Sequence, residues 1–531
     1  GGSITVSFTD AYVAGDELNV TNASLAVGAV QRSGSSIQYS ANGTSWTTIG
    51  TVNGTSTGIG KALVIDLNTN ADQTNVAAVL NALSFRSTSD NPTLNNTDTT
   101  RAYSIRINDG NNNNLAGGAG EASQDSNTLT GIITITPDND LPVVDLNGAS
   151  AGDDISDTWT EGSNTAHTTI TLAAAATLAD VDNANLSQMQ LAVAGLHDGN
   201  NEVLNIGGTN FPMATAANSV DVGIFLVSYD PSATTFTIVP DGSSITTKAN
   251  FQSLLQGIKY INTTDNPTDG DRTVTVSVSD AGLLDTTTIN GAASSAATAT
   301  VITINVDPVN DQPVITALNA VSFFENAINA TAAVIDGDIT LTDIDSADYA
   351  GGSLTVSGIT TYDTVALPTS ATDSAGNIRW AGTPGGNVEF HNGSSWLLIG
   401  TATGGAGANF VVTFNSSTTP AIAERVIESL TFANSANDPN TSRTLTLAVD
   451  DGDGRTVQNA TVVVTIKYDN DAPTMAASSL GGTYIERAAT PLAFVGGTIS
   501  VTEPDAVPFW SSGSPGFLKV VLDTYVAGDT L

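Results

Sequence analysis

A four-residue acidic phrase that occurs three times constrains this chain more than any other feature. It reads Asn139-Asp140-Leu141-Pro142, Asn310-Asp311-Gln312-Pro313 and Asn470-Asp471-Ala472-Pro473. Asp140 and Asp311 lie 171 residues apart, and Asp311 and Asp471 lie 160 apart. Each copy follows a β-rich run, and a lone Glu comes soon after it. So long a period, punctuated by carboxylates and proline, predicts β modules in a row joined at acidic linkers. The modules it delimits are 1–141, whose N-terminal strand is missing, then 142–312, 313–472, and a partial module of first strands only at 473–531.

Inside the period the order of signals is shared. Runs such as Thr273-Val-Thr-Val-Ser-Val278, Thr444-Leu-Thr-Leu-Ala-Val449 and Tyr103-Ser-Ile-Arg-Ile107 alternate apolar with polar residues, the pattern of a half-buried strand. One short helix per module is predicted at 75–83, 249–258 and 421–430, where apolar residues recur at i, i+3 or i+4. Matching turns follow: Asp90-Asn91-Pro92, Asp265-Asn266-Pro267 and Asn437-Asp438-Pro439. An Arg comes next (Arg101, Arg272, Arg443), then a strand, then an acidic turn. Asn42-Gly43 before Trp46, and Asn392-Gly393 before Trp396, predict tight type I′ hairpins. The two Trp are read as hairpin packing in preference to sugar-stacking platforms. The fold class is therefore all-β: tandem Greek-key β-sandwich modules in a linear array, each with one short helix.

Composition excludes several partners. Lys and Arg total 15 against 53 Asp and Glu, a formal charge of −38, which repels nucleic acid and anionic membranes. Hydrophobic residues make up 40% and fall in strand patterns, which argues against disorder. The absence of Cys removes disulfides, thiolate zinc sites and cysteine nucleophiles. No apolar run approaches the ~18 residues of a membrane span. Catalysis is not expected either. No nucleophile elbow or phosphate loop is present, and the paired carboxylates recur with the modules, whereas catalytic residues normally occur once.

Three acidic groups recur at each junction. The linker supplies Asp138, Asn139 and Asp140; then Asp307, Asn310 and Asp311; then Asp469, Asn470 and Asp471. A lone Glu follows an aromatic residue in what reads as a strand: Glu161, Glu325 and Glu486. An alternating pair completes the set: Asp180 with Asp182, Asp343 with Asp345, Glu503 with Asp505. Alternate residues of a strand point to one side, so D-x-D offers two carboxylates together. Calcium takes six to eight oxygens and suits such a set, whereas magnesium prefers a smaller octahedral shell. Zinc would want His or Cys, and His167, His197 and His391 stand in unmatched positions. Asp109, Asp280, Asp450, Asp451 and Asp453, in the acidic turns, are weaker candidates for the same ion.

With these residues in hand, the chain resembles the cadherin-like tandem repeats of giant bacterial surface proteins and calcium-dependent adhesins. The resemblance rests on the N-D-x-P linkers, the lone Glu residues, the D-x-D pairs and the D-N-P turns followed by Arg. It implies cadherin- or Ig-like sandwiches, calcium at the junctions, and an extracellular, secreted, cell-surface rod or filament. Two departures stand out. The modules exceed the ~100 residues of a simple sandwich, and Glu503-Pro504-Asp505 replaces the last D-x-D pair. The implied partners are neighbouring copies, further modules of the same chain, or cell-surface glycans or proteins. A recognition module and an accessory region of a secreted enzyme remain the alternative functions. The segment from Asp10 to Leu18 returns at Asp523 to Leu531. The chain is thus expected to start one or two strands into a module and to stop at the equivalent point of a fourth. That predicts either a longer array or strand exchange with a neighbour's tail through Phe517, Val520, Leu522 and Tyr525.

Overall fold

The computed structural model describes residues 1–531 apart from 95–96, 111–122, 163–166, 244–245, 281–298, 438, 440, 455–457, 489, 494–496, 504, 506–517, 522–523, 525 and 527–531. It divides into two compact units, 1–161 with 167–307, and 162–166 with 308–531. The first unit holds two β bodies with separate cores, one around Ile4, Ile37 and Ile65 and one around Trp159, Phe236 and Tyr260. The second unit has a core around Leu354, Phe410 and Phe432. The chain is all-β, of β-sandwich type, with few helices.

Two bodies share one strand plan. In the second body of the first unit, seven strands run in the order Ile155–Thr160, Thr300–Asp307, Gly270–Asp280, Leu186–Ala194, Thr235–Pro240, Phe225–Asp230, Ala217–Val222. In the second unit, eight run in the order Val321–Phe324, Gln458–Lys467, Ser442–Asp450, Ser353–Ser357, Phe410–Phe414, Trp396–Gly404, Gly386–His391, Ile378–Trp380. In both sheets the first strand pairs parallel with the last, and the pairings beyond it are antiparallel. A smaller sheet completes each sandwich. The N-terminal body has a seven-stranded sheet of its own and a two-stranded one, Asp16–Val20 with Leu83–Ser87.

The period-2 pattern carries the cores. Along Gly270–Asp280 every second residue is buried: Arg272, Val274, Val276, Val278 and Asp280. Two polar residues thus face inward, one near each end of the strand. The Arg end forms a staple that recurs in all three bodies. Arg101 Nε lies 2.6 Å from Asp16, Arg272 Nε 2.5 Å from Glu202 and Arg443 Nε 2.7 Å from Asp363. Each pair ties a strand of the large sheet to one of the small sheet. Burial pushes the Asp363 carboxyl up, but the Arg443 guanidinium and the Thr360 donors outweigh it and hold it below the usual carboxylate range.

The predicted helices form within two residues of their expected places, at Gln73–Asn81, Lys248–Gln256 and Pro420–Glu428. Caps set their starts. Asp72 and Thr247 each close a capping box with the Asn three residues on, and Thr419 accepts from the Ile422 amide with Pro420 at the first helical position. The second unit adds a six-residue helix, Glu325–Ala330.

The Asn-Gly hairpins differ from expectation. Type I′ turns need positive φ at both central residues, yet only the glycines have it, Gly43 at 73° and Gly393 at 95°. Asn42 and Asn392 instead accept from the two backbone amides that follow Gly43 and Gly393. These are Asx turns, which the short amide side chain favours over a left-handed backbone.

Candidate functional site

A two-stranded ladder brings each linker to its acidic pair. Val143–Asp145 pairs with Thr177–Ala179, Val314–Thr316 with Thr340–Thr342, and Thr474–Ala477 with Ile499–Thr502. The linker proline sits just before the first strand of each ladder, and the acidic pair begins just after the second. Antiparallel pairing of Val143 with Ala179, Val314 with Thr342 and Thr474 with Thr502 then sets the linker beside the pair. One hydrogen bond repeats in all three places. The amide of Asp140 donates to Asp182 Oδ2 at 3.1 Å, that of Asp311 to Asp345 Oδ2 at 2.8 Å, and that of Asp471 to Asp505 Oδ2 at 3.1 Å.

The acidic turns join two of these clusters. Asn139 Nδ2 donates to Asp280 Oδ2 at 2.9 Å, and Asn310 Nδ2 to Asp451 Oδ2 at 3.0 Å. Asp280 is fully buried and Asp451 nearly so. Each stands eight residues beyond the staple Arg, Asp280 as the last residue of its strand and Asp451 one residue past the end of its own, so the strand alternation that buries Arg272 also aims Asp280 at the linker. Of the other turn acids, Asp109 accepts from the Gln124 amide, Asp450 from the Gly452 amide, and Asp453 is exposed.

Burial raises the affinity of these carboxylates for protons. Asp180 is 6% exposed, and burial, with Asp182 adjacent, pushes it up to about 6. Asp345 is likewise pushed up to about 6 by burial, with Asp343 and Asp311 adding. Asp140 is raised by burial and then by Asp182, Asp90 and Asp138. Tyr349, fully buried, is raised by burial and by Asp343. Several buried oxygens in the clusters have no hydrogen-bond donor: Asp180 Oδ2, Asp343 Oδ2, Asp345 Oδ1 and Glu503 Oε1. An anionic oxygen left so costs free energy unless a cation or a proton meets it. Among the described residues no group of three or more His, Asp or Glu side chains converges tightly enough to hold a metal ion as it stands. Carboxylates alone repel one another, so the donor set is paired and not closed.

The lone glutamates are not where the sequence pattern put them. Glu161 follows the end of its strand, and its amide donates to Asp307 O at 3.1 Å. Parallel pairing of Thr160 with Asp307 causes this. Asp307 lies at the opposite end of the sheet from Asp280, because Gly270 pairs with Val306. Glu161 therefore stands away from Asp140, Asp180 and Asp182, beside the start of the following linker. Glu325 is the first residue of the short helix and 1% exposed, after Phe324 pairs with Lys467 two residues before Asp469. Glu486 is exposed in a turn, with no strand. Asp138 is exposed, and Asn470 and Asp471 are not deeply buried. Phe517, Leu522 and Tyr525 lie outside the described residues, and Val520 is 53% exposed.

Sequence reasoning missed four contributors. Asn183 Nδ2 donates to Asn139 Oδ1 at 2.9 Å, and its amide to Asp180 Oδ1 at 2.7 Å. Lys248, at the first helical position, donates to the carbonyls of Asp180 and Asn183. Asn91 Nδ2 donates to Val181 O at 2.8 Å, between the two acids of the pair. Tyr349, fully buried, lies close enough to Asp343, Asp345 and Asp451 of the second unit's cluster for their charges to add to the rise that burial causes. The recurrence of D-N-P turns was the available signal for Asn91. Nothing in the sequence marks Lys248. Trp396 has one face covered by the Arg379 guanidinium at 4.1 Å, and its Nε1 donates to Asp373 at 2.7 Å.

No protein-family model matches the chain, and no curated protein matches its sequence. Solved structures similar to it include the human desmocollin-1 ectodomain, 9% identical with a TM-score of 0.19, covering 87% of this chain and 56% of that one. Human CDH23 EC21-23 is 10% identical with a TM-score of 0.24, covering 87% and 88%. The C-terminal domain of the Streptococcus agalactiae AgI/II polypeptide BspA is 9% identical with a TM-score of 0.18, covering 61% and 99%. The chain thus spans little more than half of the desmocollin ectodomain. Likeness at this level fixes neither a site nor a function. No helix among the described residues is long and apolar enough to cross a membrane, which says nothing of strands.

Proposed function

We propose that this chain is a non-catalytic structural segment of an extracellular surface protein, an adhesin or filament, whose modules 1–141, 142–312, 313–472 and 473–531 are stiffened at their seams by calcium. The observation that carries the reading is the threefold linker-to-pair hydrogen bond, set beside buried carboxylate oxygens that lack a donor. The residues that would hold the ion are the linker acids, Asp180 with Asp182, Asp343 with Asp345, Glu503 with Asp505, and the turn acids Asp280 and Asp451. Bound calcium would supply positive charge and a fixed oxygen shell. The chain's own part is to present these oxygens from a ladder, a linker and a strand end, three elements whose relative motion the shared ion would restrain. End-to-end association of copies is the finer form of the same reading, with the rod extended into a fibre.

Calorimetric titration of the chelator-stripped chain with calcium tests this. Saturable binding with a rise in unfolding temperature is expected, about 2.7 kcal/mol of stabilisation when free calcium is a hundred times its Kd. Asp180→Asn with Asp345→Asn should remove part of the heat. The absence of both binding heat and a thermal shift in the intact chain would end the proposal.

A further inference from the structure

The staple in the N-terminal body does more than hold two sheets. Arg101 is fully buried and uses its whole fork. Nε meets Asp16 at 2.6 Å, Nη1 reaches Asp98 O at 3.1 Å and Asp98 Oδ1 at 3.0 Å, and Nη2 reaches Pro92 O at 2.6 Å. The last of these fixes the Asp90-Asn91-Pro92 turn. The residue before that proline leaves the body: Asn91 Nδ2 donates to Val181 O, between Asp180 and Asp182 of the next body in the same unit. A line of short hydrogen bonds therefore runs from Asp16, inside one core, through Arg101 and the turn to the acidic pair of its neighbour.

We propose that Arg101 is a positioning residue for the seam: by locking the Asp90-Asn91-Pro92 turn it holds the first body against the acidic pair of the second. The inference rests on the seam reading above but not on the identity of the ion. Arginine suits the task because a planar fork can hold a carboxylate and two carbonyls at once, whereas a lysine ammonium offers one point charge. The second body repeats part of this arrangement: Arg272 donates to Thr268 O at 2.7 Å and Gly270 O at 2.8 Å, just after Asp265-Asn266-Pro267.

Two variants test it. Arg101→Lys keeps a charge for Asp16 and loses the carbonyl bonds. Asn91→Ala leaves Arg101 and its staple in place and removes the outward bond to Val181 O. The chain has no Cys, so Lys61→Cys and Asp221→Cys, both at exposed positions, give one spin-label pair across the two bodies. Pulsed dipolar distances are read in chelator and in calcium, with thermal unfolding alongside. The expected result is one narrow distance for the parent chain and a loss of that narrow distance for both variants, with the unfolding temperature of Asn91→Ala unchanged. An unchanged distance distribution for Asn91→Ala overturns the proposal. A lowered unfolding temperature for Arg101→Lys with an unchanged distribution assigns Arg101 to the core alone, and also overturns it. Parent distances that ignore calcium, with Asn91→Ala still broadened, would sink the calcium reading and leave this one standing.

Discussion

At the scale of single residues, the acidic pairs make the apo protein unusual in its response to pH. Asp180 and Asp345 are both pushed up to about 6 in the fold, while an unfolded aspartate titrates near ~3.9. The native chain therefore holds these protons more tightly than the unfolded chain does. The stability they contribute is complete below about pH 4 and is lost as pH rises through about 6. In chelator, the unfolding temperature should fall between about pH 4 and pH 6.5, and Asp180→Asn with Asp345→Asn should flatten that slope. The difference between the two profiles is the quantity to read, because Asp363, held low by Arg443, acts in the opposite direction. Identical profiles for parent and variant would mean that these carboxyls titrate normally. With calcium bound the carboxylates must be ionised, so the parent's slope should reverse.

At the scale of elements, the strands Ile155–Thr160 and Val321–Phe324 show what sequence can and cannot reveal. The aromatic residue ahead of the lone Glu was legible as a core residue in the first alone, since Phe324 is 55% exposed. Trp159 is fully buried, edge-on to Tyr260 at 6.0 Å, and Phe323 stacks on Phe432 at 6.3 Å. Trp159→Ala should cost the second body about 3–5 kcal/mol, by lost transfer energy and a cavity together. Calorimetry should show that body's transition moving while that of the N-terminal body stays. A shift below about 1 kcal/mol would mean the strand is not part of the core. What the sequence hid was the direction of pairing. Parallel pairing with the last strand carries Glu161 the length of the sheet away from Asp180, a fact no local pattern encodes. The linker and the D-x-D pair were legible because a short ladder joins them, so proximity in space follows from one antiparallel pairing. The inward pairing of Arg101 with Asp16 joins residues 85 apart and needed both sheets.

At the scale of the whole chain, the charge of −38 sets a background against which any metal effect must be judged. Self-repulsion destabilises a compact state, and any salt relieves it. With a Debye length near 10 Å at 0.1 M, sodium chloride alone should raise the unfolding temperature in chelator. Divalent cations should do so too, merely by condensing on an acidic surface. Specific seams predict something sharper. In ~0.1 M salt, ~1 mM calcium changes the Debye length little, so a large stabilisation at that concentration points to sites and not to screening. Magnesium at the same concentration has the same charge and nearly the same screening, but it demands an octahedral shell and gives up its waters reluctantly. Carboxylates spaced along a ladder, a linker and a strand end suit the larger, more adaptable ion. Calcium should therefore raise the unfolding temperature well beyond magnesium, and the gap should persist in ~0.3 M salt, where surface screening is already strong. If the two ions act alike and both effects vanish in salt, the acids are a charged surface and the calcium reading is wrong.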